Sequence, residues 1–288
     1  MFSVSLLLGL GATIAAAIPS GPRSLTSGSV KCPVVFEGRV PTSTTLKEFD
    51  VENELFNPDY VKGNNLTWSN VVRFPDVPNS RFDNASYKSV EVTISDQSIF
   101  QKQNGFRRAG LLFANDPNEG SFGYQGLRTL HWSVRQDPAL ALNLSHEYLN
   151  VWHERADYSA NQFSFQTGLM IDHPELSADS FKFFDRDGRL IWSTPIDFEE
   201  WQNFAVMLNV DANLIQIYYS LGDAALEAVT DAEPLRLEGE GQYQLGILKK
   251  PTGSADVVNS GFQESPLNEG QIYGGIFVED STAGCVSL

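Results

Sequence analysis

The chain has 288 residues, of which 36 are Asp or Glu and 20 are Lys or Arg, so its formal net charge is −16. Such an acidic surface repels phosphate backbones and argues against nucleic acid as a partner. A hydrophobic fraction of 42% indicates a folded chain, and two cysteines exclude a disulfide-rich scaffold or a cysteine-rich zinc module.

The N-terminal segment has the pattern of a secretory signal peptide. Its apolar run, Leu6–Leu10, precedes the small residues Ala15–Ala17, which are typical of a cleavage site. A membrane anchor is the alternative, but the apolar run is short and interrupted by glycine. We predict a signal peptide over residues 1–17, a loose Ser-, Gly- and Pro-rich segment over 18–31, and an extracellular mature protein.

Other features agree with export. Cys32 and Cys285 lie at opposite ends of the mature chain, and an oxidising compartment favours a disulfide between them. Two free buried thiols are the alternative. A disulfide would place the first and last strands side by side and make residues 32–288 one closed domain. Three N-glycosylation sequons begin at Asn65, Asn84 and Asn143.

Alternation of apolar and polar residues with period two dominates from residue 32 onward and predicts half-buried strands. Seven runs show it most clearly: Val90–Ile94, Leu127–Val134, Tyr148–Trp152, Phe181–Phe184, Phe204–Leu208, Leu214–Tyr219 and Ile272–Val278. Turn residues separate them at 185–188 and 211–213, and the best helical stretch, 223–230, is short. The fold class is therefore all-β, and we predict a jelly-roll-like antiparallel β-sandwich with one concave groove face.

Alternation also assigns side chains to faces. With Leu149 and Val151 in the core, the open face of that strand would carry Tyr148, Asn150, Trp152 and Glu154. The same argument places His131, Gln166 and Tyr273 on open faces of other strands. Aromatic rings stack on sugar rings and amides bind hydroxyls, so this set is typical of a carbohydrate-binding surface, although a solvated sheet face is the alternative.

Glu154 is the strongest candidate for catalysis. An aromatic wall beside a carboxyl raises its pKa through desolvation, as a general acid requires. A zinc site is disfavoured because His146 and His153 do not form the His-Glu-x-x-His motif. A calcium loop at 185–188 lacks its downstream ligands. We predict no metal and no cofactor.

Four segments together resemble the family-131 glycoside hydrolases, which are secreted fungal enzymes acting on β-glucans. They are Val35–Arg39, the double arginine in Asn104–Arg108, the strand with Glu147 and Glu154, and the hairpin from Trp201 through Asp211–Asn213 to Gly222. The resemblance spans about residues 32–288. It implies a β-jelly roll, an open groove, and activity on β-1,3-, β-1,6- or β-1,4-linked glucose polymers.

The resemblance also implies two catalytic carboxyls. One maps to Glu154. The other maps two residues after the double arginine, to Gly110, where this chain has no carboxyl. Gly110 is expected to open space beside Arg108, which we predict to bind substrate. Asp116 or Glu119, in the following loop, would have to take the role of the second carboxyl.

Two functions follow from these residues. The first is a secreted β-glucan hydrolase with Glu154 as a catalytic carboxyl, and the second is a glucan-binding protein without turnover on the same scaffold. A structural or host-interaction role is a third possibility that only export supports. We expect a polysaccharide partner, no membrane association and a monomer.

Overall fold

The computed structural model describes residues 28–288. The predicted signal peptide and most of the 18–31 segment lie outside the described residues. The described residues contain seventeen strands: β1 (Val34–Glu37), β2 (Val40–Pro41), β3 (Val72–Arg73), β4 (Tyr87–Lys88), β5 (Val90–Ser95), β6 (Arg107–Leu112), β7 (Leu127–Arg135), β8 (Glu147–Glu154), β9 (Asn161–Gly168), β10 (Ser180–Asp185), β11 (Leu190–Pro195), β12 (Gln202–Asn209), β13 (Leu214–Leu221), β14 (Glu227–Ala228), β15 (Glu233–Pro234), β16 (Gln242–Lys249) and β17 (Asn268–Asp280).

Helical structure is limited in the described residues to a 3₁₀ turn at Leu46–Asp50 and a single α turn at Trp68–Val71. The seven predicted strand segments and both predicted hairpin turns are confirmed. The stretch with the best helical pattern in the sequence, 223–230, is not helical and contains β14, which pairs with β13. No helix in residues 28–288 is long and apolar enough to cross a membrane.

Two antiparallel sheets form the sandwich. The nine-stranded sheet has the order β14-β13-β12-β7-β17-β5-β3, with β1 paired to β17 and β15 paired to β13. The six-stranded sheet has the order β11-β10-β9-β8-β16-β6. The fold is thus the predicted all-β, jelly-roll-like sandwich.

The core lies between the inner faces of the two sheets and is rich in aromatic rings. Phe165 of the six-stranded sheet packs on Trp132 and Phe204 of the nine-stranded sheet, with ring centroids 5.3 and 4.7 Å apart. Burial of such large rings supplies much of the driving force for folding. The alternation of the sequence arises because each strand has only one face on this core.

The N-terminal and C-terminal parts of the described chain are joined. Cys32 and Cys285 form a disulfide, and β1 pairs antiparallel with β17. The expected closeness of the first and last strands is therefore confirmed.

Candidate active site

Three polar side chains meet on the outer face of the six-stranded sheet, which is the face turned away from the core. Glu154 ends β8, Gln244 lies on the adjacent β16, and Arg108 lies on β6 beyond it. The Nε2 atom of Gln244 donates a hydrogen bond to Oε2 of Glu154. Nη2 of Arg108 donates to Oε1 of Gln244 at 3.2 Å. The Gln244 amide therefore links the guanidinium to the carboxyl.

A β-bulge decides which side chains of β8 reach this outer face. The pairing of β8 with β9 shifts between Leu149 and Val151, which leaves Asn150 as an extra residue. Before the bulge Tyr148 faces the core, and after it Val151 does. The shift by one residue turns Trp152 and Glu154 to the outer face.

The carboxyl of Glu154 is partly buried. Desolvation by burial raises its pKa, while the positive charge of Arg108 and the Gln244 hydrogen bond act in the opposite direction and lower it. The net pKa is above the ordinary value for a glutamate. A carboxyl in this state keeps its proton to higher pH than an exposed one, as a proton donor must.

Arg108 is itself buried, and its guanidinium is held in a fixed orientation. Besides its bond to Gln244, Nη1 of Arg108 donates to Oε1 of Gln103 at 3.1 Å. Burial lowers the pKa of Arg108 to about 10, and the nearby Glu154 partly opposes that change. The side chain is therefore a cation at neutral pH, close enough to the Glu154 carboxyl for the two charges to interact.

Trp152 lies on the outer face, as the pattern of alternation suggested, but it is not open to solvent. Only 1% of it is exposed, because it forms a second hydrophobic cluster with Phe106, Leu149 and Leu248, against which Val257 packs. The indole is therefore unable to present its ring to a sugar. Its prediction as a solvent-facing binding residue is corrected.

The position of the second expected carboxyl is filled by neighbours. A Cβ atom on Gly110 would lie 3.1 Å from Oε1 of Gln244, 3.5 Å from Cγ1 of Val61 and 3.6 Å from Cη2 of Trp152. The expectation that Gly110 opens space for a sugar or water is thus wrong.

Val61 reaches Gly110 from a segment that runs along the edge of β6. Its carbonyl accepts a hydrogen bond from the Gly110 amide at 2.8 Å. Its φ of 63° lies in the left-handed region, which is rare and costly for a β-branched residue. The backbone at Val61 is therefore strained, and this conformation holds the isopropyl group beside Gly110.

Neither substitute carboxyl contacts Glu154. Asp116 is buried and accepts hydrogen bonds from Oγ of Ser121 at 2.5 Å and the amide of Tyr243 at 3.4 Å. Glu119 is exposed in a loop. The charged group that acts on the Glu154 carboxyl is Arg108.

Three residues predicted for the groove are instead buried in the sandwich. The hydroxyl of Tyr148 donates to Oε2 of Glu269 at 2.9 Å. Asn150 is the fully buried bulge residue. The hydroxyl of Tyr273 donates to the carbonyls of Asn150 and Gly246. All three side chains are fully buried, and their placement on an open face is wrong.

His131 does point away from the core, but from the nine-stranded sheet. It is fully buried beneath Phe82 and stacks on Phe277 with a centroid distance of 4.3 Å. Its Nε2 lies 2.9 Å from Oε1 of Glu279. Both sheets and the core between them separate His131 from Glu154, so its predicted role in the same groove is wrong.

Gln166 lies on the outer face of β9, half-buried, with Nε2 donating to Oγ of Ser164 at 2.6 Å. It therefore extends the polar surface on the side of β8 away from Gln244. Sequence reasoning missed Gln244 altogether. The alternation of Gln242–Lys249 indicates a strand. Its position between β6 and β8 depends on long-range pairing, which the alternation does not predict.

Within residues 28–288, no group of three or more His, Cys, Asp or Glu side chains is placed to hold a metal ion.

Comparison with known proteins agrees with this architecture. The family model described as the glycoside hydrolase 131 catalytic N-terminal domain matches residues 34–284. The GH131 β-glucanase catalytic domain from Podospora anserina is similar in structure, with a TM-score of 0.72 and 17% identity over 88% of this chain and 97% of its own. The GH131 catalytic domain from Coprinopsis cinerea gives 0.67 and 18% over 86% and 94%. No curated protein sequence matches the chain significantly.

Proposed function

The chain belongs to glycoside hydrolase family 131, and from this premise we propose that it hydrolyses β-glucan with Glu154 as the proton donor. The observation that carries the proposal is the hydrogen-bonded array of Arg108, Gln244 and Glu154 on the outer face of the six-stranded sheet. Membership of the family supports glycoside hydrolysis on glucans. The β-glucanase activity named for the Podospora anserina relative supports the substrate class.

The raised pKa of Glu154 gives the reaction its first step. The protonated carboxyl transfers its proton to the glycosidic oxygen as the bond from that oxygen to the anomeric carbon breaks. A water molecule adds to the anomeric carbon and releases a proton to solvent, and solvent returns a proton to Glu154 before the next turnover. The carboxylate left on Glu154 accepts the Gln244 hydrogen bond and faces the charge of Arg108, which stabilise it.

The test is Glu154→Gln, assayed with purified protein on laminarin, pustulan, lichenan and cellulose. We expect release of reducing sugar to fall at least about 100-fold, since general acid help alone contributes that much. Glu147→Gln is the matched control, because Glu147 begins the same strand but binds Lys250 and the amide of Ile171. Equal activity of Glu154→Gln and wild type on every substrate would contradict the proposal.

The absence of a carboxyl at Gly110 favours a second candidate, a glucan-binding protein without turnover. A hydrolase of this type normally uses two carboxyl groups, and the Glu154 carboxyl has none among its contacts. Retention on glucan with no release of sugar by wild type would favour this candidate.

We also propose that the protein is secreted as a glycosylated monomer. Asn65, Asn84 and Asn143 are all exposed, as glycan attachment requires. N-terminal sequencing of protein from culture medium tests cleavage near Ile18, and a mass loss after glycan removal tests the three sites. Size-exclusion chromatography with light scattering tests the monomer.

A further inference from the structure

Tyr158 is the most exposed large aromatic side chain in the described part of the protein, with 66% of its surface open to solvent. It lies in the turn between β8 and β9, four residues after Glu154. The ring contributes nothing to the core, and an exposed phenol at a loop tip loses favourable burial energy. Its position beside the end of the Glu154 strand therefore needs a reason other than folding.

The main chain at Tyr158 makes the choice of residue more unusual. Its φ is 59°, in the left-handed region where glycine and asparagine are favoured and bulky side chains are disfavoured. A turn selected only for stability would have Asn or Gly at this position. Tyr158 is thus unfavourable both for its exposure and for its backbone conformation.

The phenol is nevertheless held in one place. The Nδ2 atom of Asn118 donates to the Tyr158 hydroxyl at 2.6 Å, and the carbonyl of Asn118 accepts from the Gly241 amide at 3.0 Å. These bonds join the loop after β6, the turn after β8 and the start of β16. In the sheet, β16 lies between β6 and β8. The hydrogen bonds therefore hold the phenol near the start of β16, at the end of the sheet where Glu154 lies.

We propose that Tyr158 is a saccharide-stacking platform for a sugar residue of the chain whose glycosidic bond lies at Glu154. The proposal rests on the proposed glucan function. It also supplies the aromatic surface that Trp152, buried in its own cluster, does not. A pre-oriented ring binds the apolar face of a pyranose at little entropic cost. Four residues of chain place the platform within about 13 Å of Glu154, close enough for a neighbouring sugar.

Because residue 158 has a left-handed backbone, its aromatic ring can be removed by a substitution that does not lower the stability of the fold. Tyr158→Asn removes the platform and suits the φ of 59°, so its melting temperature should equal or exceed that of wild type. Tyr158→Phe keeps the ring and loses only the Asn118 bond. Phe198→Ala is the matched control, because Phe198 is 54% exposed and follows β11 at the far edge of the sheet.

Affinity is measured by electrophoresis in gels containing laminarin, pustulan or lichenan. We expect Tyr158→Asn to weaken binding about fivefold to tenfold, Tyr158→Phe to change it less than about twofold, and Phe198→Ala to leave it unchanged. Wild-type retention that Tyr158→Asn does not reduce would overturn this proposal and leave the glucan function standing. No retention of wild type by any of the three glucans would overturn both.

Discussion

The side-chain amide of Gln244 donates to the carboxyl of Glu154 from the neighbouring strand, and its carbonyl oxygen accepts from buried Arg108. The amide thereby orients the carboxyl and carries the influence of a cation two strands away. A hydrogen bond from a neutral donor favours the ionised form of a carboxyl without supplying another titrating group. Gln244 is therefore a positioning residue that tunes the proton affinity of Glu154.

Gln244→Leu should move the alkaline limb of the activity profile to higher pH. Proton donation requires the protonated form of Glu154, so activity falls as pH rises through its pKa. The Gln244 hydrogen bond lowers that pKa, and its removal raises it further above the ordinary glutamate value. The measurement is kcat/KM against pH on the best glucan substrate.

Gln216→Leu is the control for this profile, because Gln216 is a half-buried glutamine on β13 of the other sheet that donates to the carbonyl of Thr230. It should leave the limb where wild type has it. An alkaline limb that stays fixed, or moves to lower pH, in Gln244→Leu would contradict the assignment of the limb to Glu154.

Trp152→Ala should act on stability and not primarily on sugar stacking. The indole is 1% exposed and packs with Phe106, Leu149 and Leu248, so its removal leaves a large cavity. We expect a loss of about 3–5 kcal/mol in the free energy of unfolding, measured by urea denaturation. Leu248→Ala, in the same cluster, should destabilise in the same way. A Trp152→Ala protein with unchanged stability and lost glucan binding would restore the indole as a binding residue.

Period-two alternation predicted the strands and the core correctly wherever a strand is regular. Phe163 and Phe165 face the core and Gln166 faces outward, as their spacing requires. The same rule failed for Tyr148, Asn150 and Tyr273, because bulges at Asn150 in β8 and at Gly275 in β17 exchange the two faces partway along the strand. Gly275 has a φ of 57°, in the left-handed region. A glycine within a strand is a sign of a bulge that the sequence does carry.

The neighbours of Glu154 could not be predicted from the sequence, because long-range strand pairing brings them together. Glu154 was identified from its own strand, but its partner Gln244 lies 90 residues later and Arg108 lies on a third strand. The local sequence does not indicate that β16 pairs between β6 and β8. Exposure is equally non-local, since Trp152 is covered by residues from three other parts of the chain.

Glu279→Leu should lower stability without changing the KM for glucan. The buried carboxyl of Glu279 lies against His131 and accepts hydrogen bonds from the amide and hydroxyl of Ser287, at 2.9 and 2.7 Å. Removing it leaves a buried histidine and the C-terminal segment without their acceptor. The expected loss is about 3–5 kcal/mol in chemical denaturation. A raised KM with unchanged stability would instead place His131 in substrate binding.

Buried carboxyls should make the fold lose stability as pH rises from about 4 to 7. Burial, followed by the negative charge of Asp137, raises the pKa of Glu91 to about 7. Burial also raises the pKa of Asp83 to about 6 and that of Asp116 to about 7. The unfolded chain releases these protons near its ordinary carboxyl pKa values, so between about pH 4 and 7 the free energy of the unfolded state falls relative to that of the folded state.

Glu91→Gln isolates one of these groups. In wild type the contribution of Glu91 is fully present below about pH 4.5 and is lost by about pH 7, a decrease on the order of 3 kcal/mol. The amide does not titrate, so the variant should lose less stability than wild type between pH 5 and 8 in urea denaturation. Glu119→Gln, exposed in its loop, should keep the wild-type slope. His153 has the opposite effect, because burial lowers its pKa to about 3 and its protonation in the unfolded chain destabilises the fold below about pH 6.5. The slopes of stability against pH are therefore also compared above pH 6.5, where His153 is neutral in both states. Identical slopes for Glu91→Gln and wild type would mean that Glu91 is already ionised in the folded protein.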